Sequence, residues 1–176
     1  SGGGARGLSQ AGVLRALISR GYVPSAIVGV SMGAVVGATY ALNDDWFDAL
    51  VAMDTSGFPA TPGFRLPGLA ARMRGLRTAL LAARDMYFGW GVGTPTETWG
   101  RSVLSSLTQG KNLENGRIPI FVCATDMLTG KRVVFGKGNA TDYIYASAAL
   151  AGILPPLVDG PHVLMDGAYA DIAPVD

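Results

Sequence analysis

Three side chains in this sequence are of the types that carry out nucleophilic catalysis: Ser31, His162 and Asp166. Ser31 stands at the centre of the pentapeptide from Gly29 to Gly33, which has the Gly-x-Ser-x-Gly spacing of a nucleophile elbow. In such an elbow a strand enters a sharp turn and a helix leaves it, so that the serine hydroxyl is presented at the edge of a sheet. The alternative is a glycine-rich turn in which Ser31 only caps the following helix.

The segments on both sides of Ser31 favour the elbow. Residues 24–28 have the apolar, extended character of a strand, and residues 34–42 are the small and apolar types of a buried helix. Gly29 and Gly33 allow the backbone to turn sharply without a Cβ clash. The order of strand, turn and helix therefore predicts that Ser31 is a nucleophile and that the two glycines support its turn.

A serine nucleophile needs a base, and the chain offers two candidates. His162 is the single histidine, and in the chain order of an α/β-hydrolase it would work with Asp126 or Asp142 as the orienting acid. Asp166 is the rival, because it ends an apolar strand at residues 163–165 and so lies at the sheet edge where sites collect in α/β folds. Partial burial would raise the pKa of this carboxyl and make it a better base.

The chain begins with the glycine-rich run S-G-G-G-A-R-G. Gly2, Gly4 and Gly7 match the G-x-G-x-x-G spacing of a dinucleotide site, but that site needs an acidic residue about 20 positions further on. The first acidic residue here is Asp44, beyond the predicted second strand and its helix. The dinucleotide interpretation is therefore weak.

A run of glycine amides that opens a helix also forms an anion-binding nest. Beside a nucleophilic serine, the amides of Gly2, Gly3 and Gly4 would act as an oxyanion hole. Arg6 adds positive charge nearby, although a structural ion pair explains it equally well.

Composition excludes several classes of function. Of the 176 residues, 49% are hydrophobic and 15% charged, with a net charge of +1, which describes a globular chain without a nucleic-acid-binding surface. Cys123 is the single cysteine and lies in an apolar strand-like run, where a buried, inert thiol is expected. One histidine and one cysteine argue against a catalytic zinc site, and no metal or cofactor is expected.

The remaining elements predict one α/β domain over residues 1–176. Helices are expected at residues 7–20 and 143–150, and strands at 119–124, 132–135 and 163–165. Because strands alternate with helices, the expected architecture is a three-layer sandwich with a largely parallel central sheet.

The sequence resembles the patatin-like phospholipases in three motifs that occur in the family's order. These are the glycine-rich loop with Arg6, the elbow around Ser31, and the Asp-Gly-Ala block of Asp166, Gly167 and Ala168. Two further stretches are similar to the bacterial branch, namely Ala124-Thr125-Asp126 with Thr129-Gly130, and Ala146-Ser147-Ala148-Ala149 continuing to Pro155-Pro156.

The resemblance implies a lipid acyl hydrolase on a modified α/β-hydrolase-like sandwich, with no metal or cofactor. Ser31 would be the nucleophile, Asp166 its base, and Gly167 the support of the aspartate turn. The alternatives are a Ser-His esterase or acyltransferase that uses His162, and a non-catalytic lipid-binding module.

The sequence departs from the family pattern in three respects, one of which is that it ends at Asp176, where the family continues with another strand. The strand that precedes the glycine loop in the family is missing, and Ile172 stands where an asparagine is common. We therefore expect a trimmed domain. The bacterial cytoplasm or a peripheral membrane position is the expected location, export remains open, and the oligomeric state is unknown.

A middle segment at about residues 46–110 differs in composition from the rest. It carries an apolar stripe at helical spacing with arginines along its borders, a pattern typical of a membrane-interface helix and equally of a packed one. The stripe consists of Leu66, Leu69, Met73, Leu76, Leu80 and Tyr87, with Arg65, Arg72, Arg77 and Arg84 beside it. Trp90 and Trp99 would either line an acyl pocket or pack in the core.

Overall fold

The computed structural model describes residues 1–56, 94–151 and 153–174. Within these ranges the α-helices are α1 (Ser9–Ile18), α2 (Met32–Leu42), α3 (Trp46–Val51), α4 (Thr94–Thr108) and α5 (Ala140–Ala148). The strands are β1 (Ile27–Val30), β2 (Ile120–Asp126), β3 (Lys131–Phe135), β4 (Leu157–Asp159) and β5 (His162–Asp166). Short 3₁₀ helices lie at Gly4–Leu8, Leu113–Asn115 and Gly167–Tyr169.

The five strands form one mixed sheet around β2, so the expectation of a largely parallel sheet is wrong for the described residues. Only β1 runs parallel to β2, whereas β2 pairs antiparallel with β3 and with β5, and β5 pairs antiparallel with β4. For the pairs β2–β3 and β4–β5 the reason is connection length, because a parallel pair needs a long crossover and each of these pairs is joined by a short turn. A turn at residues 127–130 joins β2 to β3, and only two residues join β4 to β5.

Two helices cover one face of the sheet and hold the core. The helix α2 packs on β1 and β2, and α5 packs on β2 and β5 and against α2 and α4. Every residue of α2 from Gly33 to Leu42 is buried, as its small and apolar composition predicts. Cys123 in β2 is fully buried, which confirms the burial expected for it.

Most predicted elements are present with shifted ends. The helix expected at 7–20 is a 3₁₀ turn followed by α1, and the helix expected at 143–150 begins earlier, because the Asn139 side chain accepts a hydrogen bond from the Asp142 N–H and caps it. The short strand β4 was not predicted. None of the helices in the described ranges is long and apolar enough to cross a membrane.

Candidate active site

Ser31 occupies the sharp turn between β1 and α2 that the pentapeptide predicts. Its backbone has φ 53° and ψ −125°, in a region that residues with a side chain rarely occupy. Such strain persists only where the surrounding structure enforces it, and it is characteristic of functional turns. The side chain makes no capping hydrogen bond to the helix, so the interpretation of Ser31 as a simple helix cap is wrong.

Two glycines of the Ser31 turn and one glycine after Asp166 allow other backbone segments to pack closely against them. A Cβ added at Gly29 would lie 2.5 Å from the Ala34 Cα, and one at Gly33 would lie 2.6 Å from the Ser1 carbonyl oxygen. A Cβ at Gly167 would collide with the Cys123 carbonyl. Close packing therefore requires glycine at these three positions, which the sequence predicts to support the two turns.

The sheet register brings Ser31 and Asp166 together. The strand β3 pairs with one edge of β2 along residues 122–126. Both β1 and β5 pair with residues in or next to that stretch, so they must share the opposite edge of β2. They run toward each other along it: β1 ends with Val30 beside Cys123, and β5 ends with Asp166 beside Ala124. The residue that follows β1 therefore meets the last residue of β5.

The meeting produces a direct hydrogen bond. The Ser31 Oγ donates to the Asp166 Oδ2 at 2.7 Å, and the other carboxylate oxygen accepts the Ala168 N–H at 2.9 Å. Burial raises the pKa of Asp166 above its ordinary value, against the lowering effect of these two hydrogen bonds. A carboxylate with a raised pKa in contact with a serine hydroxyl is able to take the serine proton during an attack.

The other candidate base lies elsewhere. The His162 Nδ1 is 3.3 Å from the Asp126 Oδ2, so the structure pairs this histidine with one of the two acids considered for it. His162 begins β5, four residues and about 13 Å along the strand from Asp166. The second acid, Asp142, forms an ion pair with Arg101.

Gly2, Gly3 and Gly4 all lie at the site, since a Cβ added even at Gly2 would be 3.6 Å from the Ser31 Cβ. Gly3 and Gly4 line a cavity together with Ser31, at the N-terminus of the first 3₁₀ helix. The Gly2 N–H instead donates to the Ile172 carbonyl at 3.4 Å. Arg6 is exposed and is not among the residues described as lining the cavity.

The cavity has a volume of about 280 Å³ and apolar walls, with Ser31 and Asp166 at its edge. The Tyr145 hydroxyl donates to the Pro155 carbonyl at 2.8 Å, so this residue presents only its ring to the cavity. Burial raises the pKa of the Tyr145 phenol, which therefore stays neutral. The apolar lining comes mainly from α2, α4, α5 and the loop after α5, through Met32, Val35, Met53, Trp99, Val103, Leu104, Ala148, Leu150, Ile153 and Leu154.

Two buried hydroxyl residues at the site were not predicted. Ser147 contacts the backbone of Ser31, and Thr125 contacts the backbone of Asp166. Both lie in sequence stretches noted above, and the signal that marks them is a hydroxyl within an otherwise apolar buried run.

Some predictions fall outside the described residues. The apolar stripe with its arginines and Trp90 belong to this group, whereas Trp99 lies on α4 and lines the cavity. Within the part of the chain that the structure describes, no cluster of three or more histidine, cysteine or carboxylate side chains is arranged to hold a metal ion.

The whole chain matches the family model described as "Patatin-like phospholipase", over residues 1–176. The chain belongs to this family, and its α/β fold is the patatin fold.

Curated relatives agree with this membership, and one solved structure shares the fold. The chain is 33% identical over 175 residues to "Lysophospholipase NTE1" of Mycosarcoma maydis, covering 99% of this chain and 8% of that protein. It is 29% identical over 177 residues to "Patatin-like phospholipase domain-containing protein 7" of Mus musculus, covering 99% of this chain and 12% of that protein. VipD from Legionella pneumophila shares the fold, with a TM-score of 0.54 and 14% identity over 97% of this chain and 45% of that one. The chain thus spans about a tenth of the length of these curated relatives.

Proposed function

We propose that this chain is the catalytic domain of a lipid acyl hydrolase that cleaves fatty-acyl esters of lysophospholipids or phospholipids. The observation that supports the proposal best is the 2.7 Å hydrogen bond from Ser31 to Asp166 at the edge of an apolar cavity. Family membership and the name of the fungal relative point to the same chemistry.

The proposed reaction proceeds through an acyl-enzyme. The Ser31 Oγ attacks the ester carbonyl carbon while its proton passes to Asp166, and the N–H groups of Gly3 and Gly4 stabilise the negative charge on the carbonyl oxygen. The carbon–oxygen bond to the alcohol then breaks, and Asp166 returns the proton to the leaving oxygen. Water next attacks the acyl-enzyme, Asp166 accepts a water proton and gives it to the departing Ser31 oxygen, and the fatty acid is released.

The cavity would hold the acyl chain during these steps. Among the described residues that line it, Asp166 is the one with a charged side chain, and such a lining suits a hydrocarbon chain better than a polar headgroup. The ester carbonyl would lie at the end where Ser31, Gly3 and Gly4 converge. We therefore infer that the headgroup remains outside the cavity.

Site-directed variants test the dyad. Ser31→Ala and Asp166→Asn should each lower kcat on lysophosphatidylcholine and on p-nitrophenyl esters by about 10³-fold or more, because each removes a partner of the proton transfer. His162→Ala should keep kcat within a few-fold, since this histidine contacts Asp126 instead of the serine.

A fluorophosphonate probe followed by mass spectrometry should label Ser31 in the unsubstituted chain and leave the Ser31→Ala variant unlabelled. Loss of activity in His162→Ala together with an active Asp166→Asn variant would establish the Ser-His alternative. A chain that binds lipid vesicles but neither reacts with the probe nor hydrolyses any ester would be the non-catalytic module.

A further inference from the structure

We propose that Ser147 and Thr125 are positioning residues, two buried hydroxyls that each hold the main chain of one member of the Ser31–Asp166 dyad. The inference rests on the proposed function, because it assigns a role toward the same reaction. Neither hydroxyl contacts the Ser31 Oγ or the Asp166 carboxylate in the described structure, so neither is placed to take part in the chemistry directly.

Ser147 links the serine turn to the central strand. Its Oγ accepts the Ser31 N–H at 2.9 Å and donates to the Cys123 carbonyl at 2.6 Å, and the residue is fully buried near the end of α5. One hydroxyl therefore joins the nucleophile, the helix α5 and the strand β2, across 116 positions of sequence.

This link falls where the backbone is strained. With φ at 53°, Ser31 departs from the geometry that its neighbours in β1 and α2 adopt, and a tether at its own N–H helps to keep it there. The same hydrogen bond occupies the Ser31 N–H. The oxyanion donors must then come from other amides, which agrees with the proposed use of Gly3 and Gly4.

Thr125 holds the aspartate in a similar way. Its Oγ1 donates to the Asp166 carbonyl at 2.9 Å and accepts the Ala170 N–H at 3.1 Å, and the residue is almost fully buried. These bonds fix both the end of β5 and the 3₁₀ turn that follows it. The Ala168 N–H in that turn is the donor that orients the Asp166 carboxylate.

Both tethers converge on one short stretch of β2. Ser147 is anchored at Cys123, and Thr125 lies two residues further along the same strand. The backbones of Ser31 and Asp166 are thus both anchored to the same strand, which fixes their relative position. A displacement of about 1 Å in such a geometry is enough to lower a rate by about 10²-fold.

Ser147→Ala and Thr125→Val should lower kcat by about 10- to 100-fold and change KM by less than about threefold, because the cavity stays intact while the dyad moves. The matched control is Thr39→Val, which removes another fully buried hydroxyl, one that donates to the Val35 carbonyl at 2.7 Å inside α2. The control should keep the kcat of the unsubstituted chain. Each variant is assayed well below its own unfolding midpoint, measured by circular dichroism.

Thr125→Ser retains the hydroxyl and removes only a methyl group, and it should recover kcat to within about threefold. The double variant Ser147→Ala/Thr125→Val should lose less than the product of the two single losses, because both tethers serve one geometry. The proposal is overturned if the single variants lose no more kcat than Thr39→Val, or if their loss appears in KM alone.

The rate of fluorophosphonate labelling separates this proposal from the proposed function. If the unsubstituted chain hydrolyses no lipid ester yet is labelled at Ser31, and labelling slows at least tenfold in Ser147→Ala but not in Thr39→Val, the substrate assignment fails and the positioning role stands. If lipid hydrolysis is normal and labelling is equally fast in all variants, the positioning role fails alone.

Discussion

The buried position of Asp166 conflicts with its proposed role as a base. As a base it must be ionised, yet burial raises its pKa and so favours the neutral form. Its native pKa lies above the value in the unfolded chain, so between those two values the native state binds the proton more tightly. The free energy of unfolding therefore falls as pH rises through that interval, and at neutral pH the ionised Asp166 carries a stability cost.

This sign yields a prediction for Asp166→Asn. The amide removes the buried charge and still accepts the Ala168 N–H, so the unfolding midpoint at pH 7 should be equal to or higher than that of the unsubstituted chain, while kcat falls by about 10³-fold. Thermal denaturation followed by circular dichroism measures the first quantity and ester hydrolysis the second. A large fall in the midpoint would show that the carboxylate contributes to stability instead.

The acidic limb of the pH–rate profile should report the same carboxyl. We expect kcat/KM to fall on acidification with a midpoint above 3.8, the ordinary value for this side chain, because its pKa is raised. The limb should be unchanged in His162→Ala. A limb that disappears in that variant would assign the titration to the histidine.

At the scale of elements, the helix α4 lines one side of the cavity, and one of its lining residues is a glycine. Gly100 lines the cavity, and a Cβ placed there would lie 4.0 Å from the nearest atoms of the Tyr145 ring. Gly100→Leu should fill acyl-chain space without an initial clash. We expect the kcat/KM ratio of octanoate to butyrate p-nitrophenyl esters to fall by about tenfold, as specificity for each added methylene is modest.

Gly12→Leu is the matched control, because Gly12 is also a helical glycine, in α1, with open space at its Cβ position. Both substitutions replace glycine in a helix, so both should favour the helical state by about 1 kcal/mol or less. Only the α4 variant should change chain-length preference. An equal change in both would trace the effect to general stability and remove α4 from the acyl pocket.

The elements show what a single sequence can and cannot predict. The elbow at Ser31 and the strand that ends at Asp166 could be predicted, because glycines, apolar runs and a carboxylate at a strand end are visible in short stretches of sequence. Strand direction was mispredicted because the alternation of strands and helices suggested parallel crossovers, whereas β2 and β3 are joined by a short turn and the antiparallel pairing of β2 with β5 is a long-range contact. Ser147 looked like one more small residue of a helix, and only the fold reveals its partner 116 positions away.

At the scale of the whole molecule, two largely buried carboxyls have different roles: we expect Asp126 to stabilise the fold and Asp166 to act in the reaction. Asp126 accepts the N–H groups of Leu128 and Val163, at 3.2 and 3.3 Å, and the Thr129 hydroxyl, which ties the β2–β3 turn to the start of β5. Burial acts to raise its pKa, but these hydrogen bonds and the contact with His162 lower it below the ordinary value. Asp126 therefore has the opposite linkage from Asp166.

The sign of this linkage gives the last prediction. Because the native pKa of Asp126 is depressed, its contribution to stability is present above the ordinary value of 3.8 and is lost as pH falls through the native pKa. Asp126→Asn should lower the unfolding midpoint by several degrees at pH 7 relative to the unsubstituted chain, and this difference should shrink toward pH 3. Its kcat at 20 °C should stay within a few-fold of that of the unsubstituted chain. His162→Ala is the partial control and should lower the midpoint by less, because the histidine is one of the four residues that contact the Asp126 carboxylate. A variant that unfolds normally but has lost its activity would place Asp126 in the catalytic machinery, and the division between the two carboxyls would then be wrong.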